Sequence, residues 1–242
     1  MRTDDASRRS NRPWAIAGLG VVIVTTAAFA ATYTPLFAAR TIRLQGAGSL
    51  PRDDVLAVAR LDEGSNVFHL DTGTAERDLE ADPRIFDARV TTSLPDGILI
   101  RIVPRVPVAI VGVPGMLVGA DGVVIGPAGP MANLPALRSE DGGGPAGRGL
   151  EVAAAVVGAM NTDLRRDVEA VVIRSDGDLE VKLVAGFSAY LGDRSELGAK
   201  AASLAALLDW AEEQDARVVS ADLTVPGSPT AQLDRRSADV QE

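Results

Sequence analysis

The chain has 242 residues, 46% hydrophobic but only 4% aromatic, with a formal net charge of −9. That length allows one large domain or two small ones with real cores, and the acidic balance disfavours gripping a nucleic-acid backbone. With no cysteine and one histidine, His69, the composition excludes disulfides, thiolate nucleophiles, iron–sulfur clusters and multi-histidine metal sites.

In chain order, Arg2, Arg8, Arg9 and Arg12 precede a stretch without charge that ends at Arg40. Its apolar centre runs from Ala15 to Ala31. With its flanks it reaches roughly 20 residues, or about 30 Å of helix, the thickness of a bilayer core. Trp14 and Tyr33 stand at its two ends, where amphipathic rings favour the interface. The sequence therefore predicts a transmembrane helix over 13–33, with Trp14, Gly18, Val21, Val24, Phe29 and Tyr33 as membrane-anchor residues. The preceding arginines place residues 1–12 in the cytoplasm as a tail and the rest outside, in the cytoplasmic membrane. A cleaved signal peptide competes, since Ala28-Phe29-Ala30 has the small-x-small form of a cleavage site. Ala15, Gly18 and Ala27 are small enough to admit a neighbouring membrane helix.

From Arg40 the pattern changes. Thr41–Gln45 alternates as a half-buried strand ended by Gly46. Residues 51–60 place Val55, Val58 and Ala59 at helical spacing, with Pro51 suited to a first turn. A Gly64-Ser65-Asn66 loop follows, then a second helix capped by Asp71 or Thr72, burying Ala75 and Leu79 and stopping before Pro83. Phe86, Ala88, Val90 and Thr92 should share one strand face, and Leu94-Pro95-Asp96-Gly97 should turn the chain into a strand burying Ile98, Ile100 and Ile102. The order is strand–helix–helix–strand–strand, a small α+β unit.

These residues resemble the FtsQ/DivIB family of bacterial cell-division proteins. The likeness is carried by Ile42-x-Leu44-x-Gly46, Gly64-Ser65-Asn66-Val67-Phe68, Asp82-Pro83-Arg84-Ile85-x-x-Ala88-x-Val90, Leu94–Ile100 and Arg105-Val106-Pro107-Val108-Ala109. The family's glutamate before that last arginine is Pro104 here. The resemblance implies a POTRA domain over 36–106 (βααββ), then a mixed β domain over 107–233 with a long helix and a C-terminal edge strand.

The second half fits that plan. Met116–Val124 reads as a hairpin with Asp121-Gly122 at the turn. Asn133–Leu137 resembles the family's "lPxl" element, and the glycine-rich 139–149 reads as a flexible loop. Leu150 to Leu164 is helical by composition, and Val168–Arg174 with Leu179–Val184 forms a hairpin about Ser175–Asp178. Apolar residues at 197, 201, 204, 208 and 211 form one helix stripe. Val218–Leu223 reads as a strand, Pro226, Gly227 and Pro229 break it, and Thr230–Leu233 follows before a charged, disordered tail over 234–242. Leu191-Gly192, Lys200 and Asp222-Leu223 fall where the family has its "LG", helix lysine and "DL" strand.

The search for chemistry finds none. His69 lacks a nearby nucleophile. Asp53-Asp54 and Asp62-Glu63 are neighbours that do not face each other. Asp121-Gly122 and Asp176-Gly177-Asp178 do not continue as calcium loops. Gly18-Leu19-Gly20 and Gly142–Gly144 lack the context of a phosphate cradle. No enzyme activity, cofactor or small-molecule substrate is expected. A short terminal strand instead offers unpaired backbone groups to a partner strand.

The resemblance implies a septal scaffold holding divisome proteins of the FtsB and FtsL type. Its partner-binding residues would be Asp222, Leu223, Thr224, Thr230, Ala231, Gln232 and Leu233. Three other classes compete: an exported soluble POTRA-type binding or chaperone module released after Ala30, an outer-membrane assembly chaperone, and a secreted hydrolase. The last two lack tandem repeats with a barrel and a catalytic constellation, respectively.

Overall fold

The structure, a computed structural model, describes residues 12–34, 37–130 and 132–234. The tail expected over 1–12 therefore lies almost wholly outside the described residues, as does that expected over 234–242. The chain divides after Pro104 into two compact units.

The first unit opens with helix α1, Arg12–Ala31. Among the described residues no helix is long and apolar enough to cross a membrane, and the side chains at 12–16 and 28 of α1 lie outside the described residues. Next come β1 (Thr41–Gln45), α2 (Arg52–Val58), α3 (Thr72–Glu80), β2 (Ile85–Ser93) and β3 (Gly97–Pro104). The sheet order is β1-β3-β2, with β1 parallel and β2 antiparallel to β3. Ile98, Ile100 and Ile102 of the central strand are all buried, as predicted, against Val55, Ala75 and Leu79 of the helices. Each buried isoleucine contributes about 1.5–3 kcal/mol by leaving water. Gly46 ends β1 with φ +77°, and a Cβ there would collide with the Ile102 carbonyl oxygen, so only glycine fits.

Local chemistry explains both the matches and the departures. Asp71 is the N-cap of α3, its carboxylate accepting from the Thr74 amide at 3.0 Å. Pro51 is the N-cap of α2 and so precedes the first turn. Phe86 does not join Ala88 and Val90 inside. A register shift between Ile85 and Asp87 leaves Phe86 over half exposed and buries Ile85 in its place. Thr92 is also exposed.

The second unit holds β4 (Pro107–Val111), β5 (Met116–Gly119), β6 (Val124–Pro127), β7 (Ala136–Ser139), α4 (Arg148–Ala159), α5 (Thr162–Asp167), β8 (Val168–Ile173), β9 (Leu179–Leu183), β10 (Ser188–Gly192), α6 (Leu197–Glu213), β11 (Val218–Asp222) and β12 (Thr230–Leu233). Its nine strands form one sheet in the order β12-β11-β10-β9-β8-β7-β4-β5-β6. The pairs β4–β7, β7–β8 and β10–β11 are parallel and the rest antiparallel. α4 packs on the middle of the sheet and against α6, around a core that includes Val157, Val171, Val181 and Leu204.

The two predicted hairpins form where expected, as β5–β6 and β8–β9, and β4, β7 and β10 are strands that residue patterning alone does not separate. Two other expectations are corrected. The helix expected over 150–164 is two helices, because Asn161 caps a new one by accepting from the Leu164 amide at 2.8 Å. Arg165 seals the break, donating to the carbonyls of Val157 and Met160 at 2.9 and 3.0 Å. The glycine-rich 139–149 is not loop throughout: Ser139 ends β7, Arg148 and Gly149 begin α4, and a turn joins them. Ser139 and Gly143 close it with a 2.8 Å bond, Gly142 supplies φ +86°, and Pro145 is buried.

Candidate partner-binding edge

The C-terminal end of the sheet is built by one crossover. β10 leads into α6, α6 returns to β11 parallel to β10, and β11 folds back on β12. The stripe expected on α6 faces inward: Ala201 and Leu204 are buried, and Leu197, Leu208 and Ala211 pack partly against the same core. This lays α6 behind the strands and leaves β12 as the last strand among the described residues.

Lys200 fixes that crossover. Its side chain is wholly buried, and Nζ donates at 2.9 Å to both the carbonyl oxygen and a carboxylate oxygen of Asp193, just past β10. A buried ammonium needs such partners, because an unpaired one costs several kcal/mol. Lys200 and Ser195 together hold the Asp193 carboxyl well below the usual carboxylate range. A second tie runs from Ser203 Oγ on α6 to the Pro226 carbonyl at 2.8 Å, fixing the β11–β12 connection.

The structure brings most of the predicted partner-binding residues onto this edge and separates their roles. Thr230, Ala231, Gln232 and Leu233 form β12, in register with Asp222, Ala221, Ser220 and Val218. Asp222 ends β11 by accepting from the Thr224 amide and hydroxyl at 2.9 and 2.6 Å, which also lowers its own pKa. Leu223 is fully buried, and Ala231 packs partly against the core. Leu233 is 44% exposed, and Thr230 and Gln232 are exposed. Asp234 continues the ladder, its amide donating to Arg217 at 2.9 Å.

Beside the edge lies a shallow polar hollow of about 500 Å³, lined among others by Arg174, Glu180, Tyr190, Asp222 and Gln232. Arg174 donates to Glu180 at 3.1 Å and Tyr190 OH to Asp178. That bond and the neighbouring carboxylate push the Tyr190 hydroxyl up to about 12. The sequence reading missed this hollow. Its signal was the alternation Ser188-x-Tyr190, which aims two polar side chains to one face.

The other flagged residues have structural roles here. Asp176 accepts from the Asp178 amide at 3.0 Å within a turn, Asp121 receives Arg105 at 2.9 Å, and Asp54 pairs with Arg84 at 3.4 Å. Of the anchor residues, Gly18, Val21, Val24 and Phe29 lie exposed on α1, Tyr33 lies exposed just past its end, and the Trp14 side chain lies outside the described residues.

Residues 37–105 match the POTRA domain, FtsQ-type. Beyond that module the likeness extends into the sheet: the chain is 30% identical over 177 residues, 73% of its length, to the cell division protein FtsQ of Mycolicibacterium smegmatis. The chain belongs to the FtsQ family. The cell division protein FtsQ of Mycobacterium tuberculosis is 28% identical over 197 residues, 80% of this chain and 60% of that protein. That of Syntrophotalea carbinolica is 32% identical over 102 residues, 40% of this chain and 35% of that protein. The first of these three is covered over 53% of its length, so the chain spans about half to three-fifths of its mycobacterial FtsQ relatives and a third of the other.

Proposed function

We propose that this FtsQ-family chain is a non-enzymatic scaffold of the division septum that captures a partner strand on the open edge of β12. The observation that carries the reading is the edge itself. β12 is a short strand without proline, held in register by β11 and backed by a crossover clamped at Lys200. A strand so placed offers backbone donors and acceptors to an incoming chain, and the exposed Leu233 adds apolar area. The partners fitting this reading are divisome membrane proteins of the FtsB and FtsL type.

The same reading makes α1 the single membrane anchor, with the POTRA and β modules outside the cytoplasm. No charged residue stands between Pro13 and Ala39. Leu19, Val21, Val22, Ile23, Val24 and Phe29 are all exposed on α1, a helix apolar on every side, and such a helix is either buried in protein or in lipid. Release as a soluble module after Ala30 would cut inside the last turn of that helix.

The native chain has no cysteine, which makes cross-linking clean. Gln232→Cys, expressed with single-cysteine variants along the partner's extracytoplasmic segment, should give disulfides at alternate partner positions, the signature of a paired strand. An even smear or no product would overturn strand pairing. An N-terminal fluorescent fusion that runs at full length on a gel and forms a mid-cell ring tests anchor and septal role together.

A further inference from the structure

The end of α1 is fastened to the POTRA module by an aromatic cluster. Tyr33 stacks on His69 with ring centroids 4.2 Å apart, and Phe29 meets Tyr33 edge-on at 5.4 Å. Phe68 meets His69 at 5.3 Å and Phe37 at 5.7 Å. Polar bonds set the geometry beneath the rings. The Thr32 hydroxyl donates to the Phe29 carbonyl at 2.6 Å, so His69 Nε2, 2.9 Å from that hydroxyl oxygen, donates to it. Asn66 Nδ2 donates to the Thr32 carbonyl at 2.8 Å, while Asn66 Oδ1 receives the amides of Phe68 and His69 at 3.0 and 3.3 Å. The helix end is thus bonded to the loop before α3, not merely tethered to it.

The satisfied polar groups leave an unusual surface. Phe29, Tyr33 and Phe68 remain half exposed or more despite their mutual contacts. Segment 37–41 is bonded on one side to the loop at Ser65 and Val67, and on the other to the Asp96 carbonyl. The exposed Leu94 therefore lies at the same end of the module as Phe68, with the exposed Arg40 between them. Two exposed phenylalanines, a tyrosine with a polar tip, a leucine and an arginine make up a set that the lipid headgroup layer accommodates.

We infer that this end of the POTRA module is a membrane-seating surface. Phe68 and Leu94 dip into the headgroup layer around α1, and His69 locks the module onto the helix end. The inference rests on the reading of α1 as a membrane span. Its occupant is the bilayer surface, argued from continuity with α1, whose exposed apolar side chains lead through the Phe29–Tyr33–His69–Phe68 ring contacts onto the module. The module is then held close to the membrane rather than free on a linker.

The test uses the full chain, with the native Trp14 and Trp210 replaced by Phe, in vesicles of phosphatidylcholine and phosphatidylglycerol. Single reporters are Phe68→Trp, Leu94→Trp, Phe29→Trp and, as control, Phe86→Trp. Phe86 stands near the opposite end of β2, about 25 Å from Leu94 at roughly 3.3 Å per residue. Lipids brominated near the glycerol end should quench Phe68→Trp and Leu94→Trp more than lipids brominated deep in the chain, and leave Phe86→Trp unchanged. Quenching of Phe29→Trp alone would overturn the seating and leave the span standing. Equal quenching at positions 68 and 86 would also overturn it. Protein that stays in the supernatant, with no reporter quenched, would overturn the span and the seating with it.

Discussion

The nine-stranded sheet ends in two four-residue strands that are finished differently. β6 closes its edge with Gly126 and Pro127, and Pro127 has no backbone N–H to offer a newcomer. β12, Thr-Ala-Gln-Leu, keeps every N–H and an exposed leucine. Proline on an edge strand is a common device against edge-to-edge pairing, so its presence on one edge and absence from the other is what the proposed capture on β12 needs. The supports differ too. β6 hangs on a simple hairpin, whereas β11 and β12 depend on the crossover that Lys200 pins.

The largest effect is expected from Asp193→Ala, which strands the buried Lys200 ammonium with only a carbonyl. Thermal unfolding should fall by roughly 5–10 °C and partner capture should drop with it. Lys200→Met, which removes the charge and keeps the stem, should cost clearly less; equal losses in calorimetry would sink the clamp. Next is Leu233→Asp, placing a charge on the open edge. Partner affinity should weaken about 30-fold, near 2 kcal/mol, with unfolding changed by less than about 0.5 kcal/mol. Ala231→Asp is a poorer probe, because Ala231 packs against the core and its loss of capture would be mixed with unfolding.

A smaller effect sharpens the opposite edge. Pro127→Thr restores an N–H to β6 and should raise concentration-dependent self-association in sedimentation, while the same exchange at an exposed loop proline should not. The smallest effect is in pH. The Asp193 carboxyl is held low in the folded chain, so its contribution is complete above the unfolded value of about 4 and fades as pH falls below it. The stability gap between the parent and Asp193→Asn should therefore narrow between about pH 4 and pH 2; a gap constant across that range would remove Asp193 from the account.

Much of the fold was legible because local patterns and final burial agreed. The alternation Ile98, Ile100, Ile102 and the α6 stripe each name a buried face, and both faces are buried. Phe86 was misread because a register shift cancels strict alternation, and nothing in Ile85-Phe86-Asp87 announces it. The helix break was written in Asn161, a good cap, but masked by helix-forming residues on either side. The last described strand falls on Thr230–Leu233 as expected, yet Leu223, named with it, turns its side chain wholly inside.

The charge-free N-terminal stretch, the βααββ order and the short last strand follow from residue type and spacing along the chain. The burial of Lys200, its meeting with Asp193 and the joining of Phe68 and His69 to the end of α1 arise only in the folded chain. Lysine prefers water, and nothing near position 200 names a partner seven residues back across a turn. Likewise Thr32 and His69 are 37 positions apart, and a contact at that separation exists only once packing brings the two segments together.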